Sequence, residues 1–389
     1  MRRYAPCLIL LAAVLLVYSP ALRNGFVWDD TALILRDPLI RSPRLLAEGF
    51  RHFLFLDATA ADFYRPLQRV VYTADYALAG FTPWVFHLTS LLVHAGAAMV
   101  LYALGRQVFS RENASLCAFL VALIWAVHPI QSSAVVYASG LADPLAALLG
   151  FSGLALLLGG RRGWAGLCLG AALFAKESGV FALLLGLGLG WALALHQCAT
   201  RRQRLAHFAR VALPALAMAT LYIGLRATAE HTSPPPREPI AFAARPVLGL
   251  RAVAEYAGLL AAPVNLHMER DVRTSAGPLQ MLAGALLLCG AALWFWRANR
   301  PTRACLIAAA VAYLPVSNLF ALNATAADFT AELPALQFVA AGMVPADDAV
   351  LDGLLKRVEN NGTLLLVKFD KAWAAALLRK GILAKPVTE

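Results

Sequence analysis

The chain has 389 residues, of which 60% are hydrophobic and only 15% are Asp, Glu, Lys or Arg. A water-soluble protein carries about a quarter of its residues as these four charged types, so the composition excludes a soluble globular protein and predicts a polytopic membrane protein. The formal net charge is +11. The excess positive charge lies in short clusters between long apolar runs, which is typical of membrane topology and does not indicate a nucleic-acid partner.

Long apolar runs predict about nine transmembrane helices and therefore an all-α fold, because each crossing needs roughly 20 apolar residues. The first run follows Arg2 and Arg3, and we interpret it as an uncleaved signal-anchor. The basic clusters fall on alternate connections, which predicts that these connections and the N terminus face the cytoplasm. This alternation also requires Leu248–Ala262 to be a helix in the outer interface and not a crossing. The predicted spans are residues 5–21, 85–105, 115–129, 136–159, 163–175, 178–197, 210–226, 277–296 and 303–320.

The chain divides into a membrane module, residues 1–326, and a tail, residues 327–389, that differs in character. In the tail, the pattern of apolar and turn residues predicts a helix at Asp347–Val358, a strand at Thr363–Phe369 and a helix at Asp370–Leu378. We therefore expect a small α/β-like unit outside the membrane. The segments assigned to the outer side of the module are a long first loop, 22–84, the turns 128–143 and 176–178, and a second loop, 227–275.

Two adjacent carboxylates, Asp29 and Asp30, follow the first span. Charge close to a bilayer is costly, so each such group requires an explanation. Neighbouring side chains in an extended segment point in opposite directions, so one carboxylate is expected to face a substrate as a general base, with the other as its support. The alternative is that both belong to a helix cap or to a solvated loop.

Further charged or titratable groups lie at the outer ends of the predicted spans. Arg65 could hold a phosphate through two parallel hydrogen bonds, or it could anchor the chain at the membrane interface. Lys176 and Glu177 either close a short turn as a salt bridge, or place Lys176 beside a phosphate and Glu177 near an acceptor. His128 ends one span, and Asp143 lies in the first turns of the next. Each of these signals is weak by itself.

In their order along the chain, these motifs resemble one family. The pattern is similar to that of the multi-span glycosyltransferases of the C superfamily (GT-C), and most of all to the transmembrane O-mannosyltransferase-like proteins that often carry tetratricopeptide repeats. The present sequence shows no such repeats. The resemblance covers roughly residues 20–325 and rests on Phe26-Val-Trp-Asp-Asp30, Tyr64-Arg-Pro-Leu67, Phe86 to His94, His128-Pro129, Ser139-Gly-Leu-Ala-Asp143, Lys176-Glu-Ser178 and Pro315-Val-Ser-Asn318.

The resemblance implies an integral-membrane glycosyltransferase that transfers a sugar, such as mannose, from a polyprenyl-phosphate donor. The acceptor would be a hydroxyl of a protein Ser or Thr, of a glycan or of a lipid, and transfer would occur with inversion on the extracytoplasmic face of the plasma (inner) membrane. In this superfamily a carboxylate of the first outer loop is taken to be the base, and that role falls on Asp29 or Asp30. The resemblance assigns Arg65 and Lys176 to the departing phosphate. The full set of candidates for binding the donor phosphate or substrate is Arg65, His128, Asp143, Lys176 and Glu177.

The sequence departs from the family pattern in ways that keep other functions open. Gln131 and Ser133 stand where relatives usually have His and Glu, and Leu141 replaces an Arg. These differences favour, as an alternative, a catalytically inactive or partner-dependent membrane scaffold of the same fold. A transporter or flippase is a further alternative, although broken helices in two matching halves would be expected there. The six cysteines show no zinc spacing and no metal site is predicted, whereas a divalent cation in catalysis is left open.

Overall fold

The computed structural model describes residues 4–56, 63–109, 113–230, 245–264, 278–298, 300–313, 337–340 and 364–367. A helix occupies each of the nine predicted spans, the last being described as far as Tyr313, and the all-α class is confirmed. The helices are α1 (Ala5–Tyr18), α2 (Leu46–Gly49), α3 (Pro66–Ala79), α4 (Pro83–Val108), α5 (Ala114–Val127), α6 (Ser132–Val135), α7 (Ala142–Leu158), α8 (Arg162–Ala175), α9 (Gly179–Gln197), α10 (Arg201–Thr228), α11 (Arg245–Ala261), α12 (Pro278–Arg297) and α13 (Arg300–Tyr313).

Six helical segments in the described part of the chain are long and apolar enough to cross a membrane. They confirm a polytopic membrane protein. The number rises to seven when α5 and the segment Pro129–Val135, which meet at a bend of 49°, are counted as one span. Helix α8 is apolar but has only 14 residues. The six segments are Ala5–Arg23, Pro83–Val108, Ala138–Leu158, Gly179–Gln197, Arg201–Thr228 and Pro278–Arg297.

Helix α8 is short, and one face and its C-terminal turn are buried in the helix bundle. It packs against α7, α9 and α10, and Leu169 at its centre is fully buried. A Cβ atom on Gly166 would lie 2.3 Å from the carbonyl oxygen of Val211, and one on Gly170 would lie 2.4 Å from Cβ of Met218. Small residues at such crossings allow two helices to approach closely within a membrane. Protein contacts therefore hold α8, and it does not need an apolar run of full bilayer length.

Helix α10 begins at Arg201 and not at residue 210, where the apolar run suggested its start. The hydroxyl of Thr200 accepts the backbone N–H of Gln203 at 3.3 Å, and the Gln203 side chain accepts the N–H of Thr200 at 3.2 Å. This reciprocal pair is a capping box, which is visible in the sequence as Thr-x-x-Gln. The first turns of α10 are basic, so they extend the helix beyond its apolar part.

The long first loop, residues 22–84 of the prediction, is folded around one buried ion pair in its described part. Arg69 on α3 donates from Nε to Oδ2 of Asp37 at 2.8 Å. Its terminal nitrogens donate to the backbone carbonyls of Gly49, Phe53 and Leu54 at 2.7 to 3.0 Å. Both charged side chains are 2% exposed. The pair fixes the path of the loop over α3 and so positions the residues on either side of it.

The predicted interfacial helix is present as α11, which packs against α12. A Cβ atom on Gly284 of α12 would lie only 1.9 Å from the carbonyl oxygen of Leu250 on α11. Glycine at this position therefore allows the two helices to touch. Its placement in the outer interface stays a prediction.

The chain forms two compact units, one of residues 1–268 and 275–321, and one of residues 269–274 and 322–389. The second unit contains a parallel pair of strands, β1 (Gln337–Ala340) and β2 (Leu364–Val367), with Gln337 paired to Leu364. Strand β2 confirms the strand predicted at Thr363–Phe369, whereas β1 was not predicted. The two helices predicted in the tail lie outside the described residues.

Candidate active site

Asp30 is a buried residue that anchors the first long loop. Its Oδ1 atom accepts hydrogen bonds from the hydroxyl and, at 2.7 Å, from the backbone N–H of Ser139. Its Oδ2 atom accepts the N–H of Val27 at 3.1 Å. Burial raises the pKa of Asp30, and the hydrogen bonds from Ser139 and Val27 oppose this rise. Asp30 therefore ties the loop after α1 to the turn before α7, and both of its oxygens are engaged in doing so.

Asp29 lies at the protein surface. Its backbone N–H donates to the hydroxyl oxygen of Tyr137 at 2.7 Å. Partial desolvation and the charge of Asp30 raise the pKa of Asp29, whereas Tyr137 and the charge of Arg65 lower it. An accessible carboxylate with a raised pKa is suited to accept a proton from a hydroxyl group.

The two carboxylates diverge because the backbone turns sharply before them. Trp28 has a φ of 48° and is the one non-glycine residue with positive φ in the described part of the chain. Asp30, with φ −56° and ψ −34°, begins the helical turn Thr31–Leu35. The expectation of an extended segment is therefore wrong, since the segment is a turn. A bulky residue in this region costs about 1–3 kcal/mol, and the hydrogen bonds of Asp30 hold the turn in place.

Arg65 is held at the N-terminus of α3 by a carboxylate from another loop. Its Nε atom donates to Oε2 of Glu177 at 2.9 Å, and its Nη2 atom lies 2.9 Å from the same oxygen. The other oxygen of Glu177 accepts the backbone N–H of Tyr64 at 3.2 Å. The guanidinium lies over the ring of Phe63, 4.1 Å from the ring centre. The interpretation of Lys176 and Glu177 as a salt bridge that closes their own turn is therefore wrong, because Glu177 pairs with Arg65.

Lys176 pairs with Asp143 at the mouth of a groove. Its Nζ atom lies 2.5 Å from Oδ1 of Asp143, and both side chains are partly exposed. Asp143 and Ser178 stand where α7 and α9 begin, and a cavity of about 270 Å³ runs between these helices. We refer to this cavity as the α7–α9 groove. Its apolar lining includes Ala146, Gly150, Phe151, Leu154, Phe181 and Leu185.

Most of the candidate residues join into one arrangement, which we call the charged rim. It consists of Asp29, Arg65, Asp143, Lys176 and Glu177. Contacts link Asp143 to Lys176 and Glu177 to Arg65, the chain links Lys176 to Glu177, and the charge of Arg65 acts on Asp29. Among the described residues, no group of three or more His, Cys, Asp or Glu side chains is arranged to hold a metal ion.

His128 is engaged elsewhere. Its Nδ1 atom accepts the backbone N–H of Ile130 at 3.2 Å, so Nε2 carries the proton and donates to the carbonyl of Leu260 on α11 at 3.2 Å. Its own carbonyl accepts the hydroxyl of Tyr18 at 3.3 Å. These bonds give His128 a role in holding the turn after α5 against α1 and α11.

Tyr137 was missed by the sequence analysis. It lies in the turn before α7, two residues ahead of Ser139, and it contacts Asp29 just as Ser139 contacts Asp30. A signal was available, because a tyrosine in a turn between two apolar spans carries a polar hydroxyl that needs a partner. Its partner, however, is 108 residues away along the chain, and sequence spacing cannot identify such a contact.

Comparisons with known proteins point to one group of enzymes. Protein O-mannosyl-transferase TMTC1 of Mus musculus is 35% identical over 191 residues, which are 47% of this chain and 19% of the relative. TMTC1 of Homo sapiens is 34% identical over 36% of the chain and 16% of the relative. Protein O-mannosyl-transferase F38B6.6 of Caenorhabditis elegans is 27% identical over 38% of the chain and 22% of the relative. These matches confirm the resemblance to O-mannosyltransferase-like proteins.

The similarity is partial on both sides. The chain spans about a fifth of the length of these curated relatives. No family model matches the chain. No solved structure matches it either.

Proposed function

We propose that the charged rim is the active site of a membrane mannosyltransferase, which takes mannose from a polyprenyl phosphate and gives it to a Ser or Thr hydroxyl of a protein. The observation that carries this proposal is the two ion pairs of adjacent residues, Glu177 with Arg65 and Lys176 with Asp143, at the mouth of the α7–α9 groove, with Asp29 in electrostatic reach of Arg65. The name of the relatives, protein O-mannosyl-transferase, supports both the sugar and the protein acceptor. Because the chain spans only a fifth of those relatives, the activity as a whole belongs to the proposal.

In the proposed reaction, Asp29 takes the proton of the acceptor hydroxyl while the hydroxyl oxygen bonds to the anomeric carbon of mannose. The bond from that carbon to the phosphate oxygen breaks on the opposite face, so the configuration inverts. Polyprenyl phosphate leaves with the electron pair of that bond. A phosphate is a good leaving group, so no separate general acid is required. Asp30 positions Asp29, because its hydrogen bonds from Ser139 and Val27 hold the turn that carries both residues.

Arg65 and Lys176 are the cations proposed to hold the phosphate. Each is already paired with a carboxylate, Arg65 with Glu177 and Lys176 with Asp143. Such partly exposed ion pairs contribute about 0–1 kcal/mol, so exchanging a carboxylate partner for a phosphate costs little. The donor phosphate carries one negative charge and gains a second as the bond to the sugar breaks, so its charge-assisted hydrogen bonds to these cations strengthen during the reaction.

The α7–α9 groove is the proposed site of the polyprenyl chain. Alanine and glycine on α7 leave space between the two helices, and phenylalanine and leucine side chains give the space an apolar wall. An apolar wall with charged groups at one end matches an amphiphile that consists of a long isoprenoid and a phosphate. The phosphate would then lie beside Lys176 while the chain runs between the helices.

The proposal includes the orientation of the protein in the membrane. Arginines cluster at the opposite ends of the helices from the charged rim, at Arg161, Arg162, Arg201, Arg202 and Arg204. By the positive-inside rule, the proposed orientation has the N terminus in the cytoplasm and the rim on the outer face. The plasma membrane is part of the same proposal. This orientation brings the rim to the side on which exported proteins offer their hydroxyl groups.

The proposal is tested with purified protein in lipid vesicles, labelled mannosyl-phosphoryl polyprenols of different chain lengths, and Ser- and Thr-containing peptides. We expect mannose to appear on the peptide. Ala147→Phe, which narrows the groove, should weaken the use of long-chain donors about tenfold and that of short-chain donors less. Leu149→Phe is the matched control on α7, because residue 149 does not line the groove.

Two results would count against parts of this account. Failure to transfer mannose from every donor, by protein that remains folded, would favour the inactive scaffold instead. Equal activity of Ala147→Phe and Leu149→Phe with donors of all chain lengths would be compatible with the transferase activity. It would contradict the assignment of the polyprenyl chain to the groove.

A further inference from the structure

A second cluster of reactive groups lies at the end of the bundle opposite the charged rim. Three helix ends meet there: the start of α8 with Arg162, the end of α9 followed by Cys198, and the second turn of α10 with His207. Arg162 donates from Nε to Nε2 of His207 at 2.7 Å. The Nδ1 atom of the same imidazole lies 3.4 Å from the sulfur of Cys198. We refer to these three residues as the cysteine cluster.

The contact from Arg162 determines how His207 acts on the cysteine. Arginine only donates hydrogen bonds, so Nε2 of His207 must carry the lone pair. The proton of the neutral imidazole is then on Nδ1, the nitrogen that faces Cys198. Sulfur is therefore the acceptor of this hydrogen bond. The imidazole N–H therefore faces the sulfur, where it can hold the negative charge that sulfur carries while it acts as a nucleophile.

The surroundings of the cluster are positively charged. Arg204 donates from Nε to the carbonyl of Cys198 at 2.9 Å, and Arg201 and Arg202 lie between the cysteine and the histidine in the sequence. From residue 144 to residue 229 there is one acidic residue, Glu177, and it belongs to the charged rim. The 19 residues of α9 separate the two sites by about 28 Å.

We propose that Cys198 is an S-acylation site whose acyl donor is a long-chain acyl thioester of a phosphate-bearing carrier. The thiolate attacks the carbonyl carbon of the thioester and a new carbon–sulfur bond forms. The bond to the carrier sulfur then breaks, and the carrier leaves as a thiol after taking a proton from water. The thiol proton of Cys198 is released to water beforehand, so the exchange is balanced and needs no oxidant or reductant.

Both halves of such a donor have a match at this site. Exposed apolar side chains near the end of α9, Trp191 and Leu195, are 39% and 46% exposed and can pack against a fatty chain. The arginines offer charge-assisted hydrogen bonds to the phosphates of the carrier. A cysteine at the end of an apolar span that also adjoins a basic cluster is a typical setting for a lipid anchor. This proposal does not depend on the transferase activity.

The test compares two single-cysteine versions of the chain, one that keeps Cys198 and one that keeps Cys117. Cys117 is the matched control, because it is exposed and lies one turn into α5, on the same arginine-rich side by helix connectivity. Both proteins are placed in vesicles and incubated with alkyne-tagged palmitoyl-coenzyme A. We expect hydroxylamine-sensitive label on Cys198 at a rate at least about tenfold above that of Cys117, given the strength of a hydrogen bond to a charged group.

His207→Phe, which removes the donor to sulfur, should lower the labelling of Cys198 about tenfold. If that variant does not fold by gel filtration, Arg162→Gln removes the contact that directs the proton to Nδ1 and carries the same expectation. Equal labelling of Cys198 and Cys117, or full labelling in both variants, would overturn the proposal. An absence of acyl label on Cys198 in folded protein would overturn it as well.

Discussion

Two sets of ion pairs at the rim end of the bundle differ in burial. Asp37 and Arg69 are each 2% exposed, and the guanidinium also donates to several backbone carbonyls of the loop. The pair of Arg65 with Glu177 and that of Lys176 with Asp143 are 12 to 46% exposed. The buried pair cannot exchange its partners without unfolding the loop, whereas the exposed pairs can. The scaffold requires a buried pair that keeps its partners. A site that binds a charged ligand requires pairs that can exchange them.

The two adjacent carboxylates, Asp29 and Asp30, also differ in burial. Asp30 is completely buried and has both oxygens engaged, as Asp37 does. Asp29 is exposed and responds electrostatically to Arg65, as a group of the charged rim. One residue along the chain is enough to move a carboxylate from the scaffold to the site, because the backbone turns at Trp28.

The largest effect on stability should come from breaking the buried pair. Asp37→Ala leaves Arg69 as an uncompensated buried charge, so we expect the free energy of unfolding to fall by about 3–5 kcal/mol. Thermal unfolding in detergent measures this loss. The double variant Asp37→Leu with Arg69→Met should recover only part of the stability, because it leaves neither charge unpaired but removes the donor to the carbonyls of Gly49, Phe53 and Leu54. A loss below about 1 kcal/mol in Asp37→Ala would show that the pair is not part of the scaffold.

A smaller, pH-dependent effect is expected at Asp75 on α3, which is buried and has no cation among its hydrogen-bond partners in the described chain. Burial raises the pKa of Asp75 from 3.8 to about 6, and a 2.6 Å hydrogen bond from Thr89 opposes the rise. The folded protein therefore holds this proton more tightly than the unfolded chain. Stability from this group is complete below pH 3.8 and is lost as the pH rises to about 6, by about 2–3 kcal/mol.

Asp75→Asn should remove this pH dependence, since the amide does not titrate. The measurement is the melting temperature of wild type and variant between pH 4 and pH 8. We expect the difference between the two proteins to change in favour of the variant as the pH rises through the window from 3.8 to 6. Parallel curves over the whole range would contradict a raised pKa at Asp75.

At the charged rim, Arg65→Ala should affect the donor more than the fold. Removing one charge-assisted contact to phosphate is worth about 1.5 kcal/mol, so the KM for the donor should rise about tenfold. Arg65→Lys keeps the positive charge but not the planar guanidinium, so its donor KM should lie between those of the wild type and Arg65→Ala. An unchanged donor KM in Arg65→Ala would exclude the residue from the phosphate site.

The smallest effect on stability is expected from the pair of Lys176 with Asp143. Lys176→Met should lower the free energy of unfolding by less than about 1 kcal/mol, because the pair is exposed to solvent. The donor KM should nevertheless rise. A stability loss similar to that of Asp37→Ala would show that this pair stabilises the fold as the buried pair does. It would contradict the assignment of the pair to the site.

Much of the fold could be predicted from the sequence, because apolar runs and basic clusters record membrane crossings directly. The helices at the nine predicted spans followed from these runs, whereas α3 lies in a segment that was predicted as a loop. The start of α10 could not be predicted from apolarity, because its first turns are basic. The capping box at Thr200 is the signal that marks it. Strand β1 in the tail was missed as well, because a parallel partner lies far away in the chain.

The candidate site could be predicted only as a set of residue types. The motifs identified Asp29, Arg65 and Lys176, yet the partners of these residues come from other loops. Glu177 pairs with Arg65, which is 112 residues away, and Asp143 pairs with Lys176. Such contacts depend on helix packing and on the turn at Trp28, neither of which has a local signature in the sequence.

The measurement that tests the account most directly is the rate of mannosyl transfer by Asp29→Asn beside Asp30→Asn, in protein of equal folded content. If Asp29 is the base, Asp29→Asn should lower kcat by about 10²–10⁴-fold while its melting temperature stays close to that of wild type. Asp30→Asn should lower the melting temperature, because the buried bonds to Ser139 and Val27 are disturbed. Full transfer by folded Asp29→Asn would contradict the central claim that Asp29 accepts the proton.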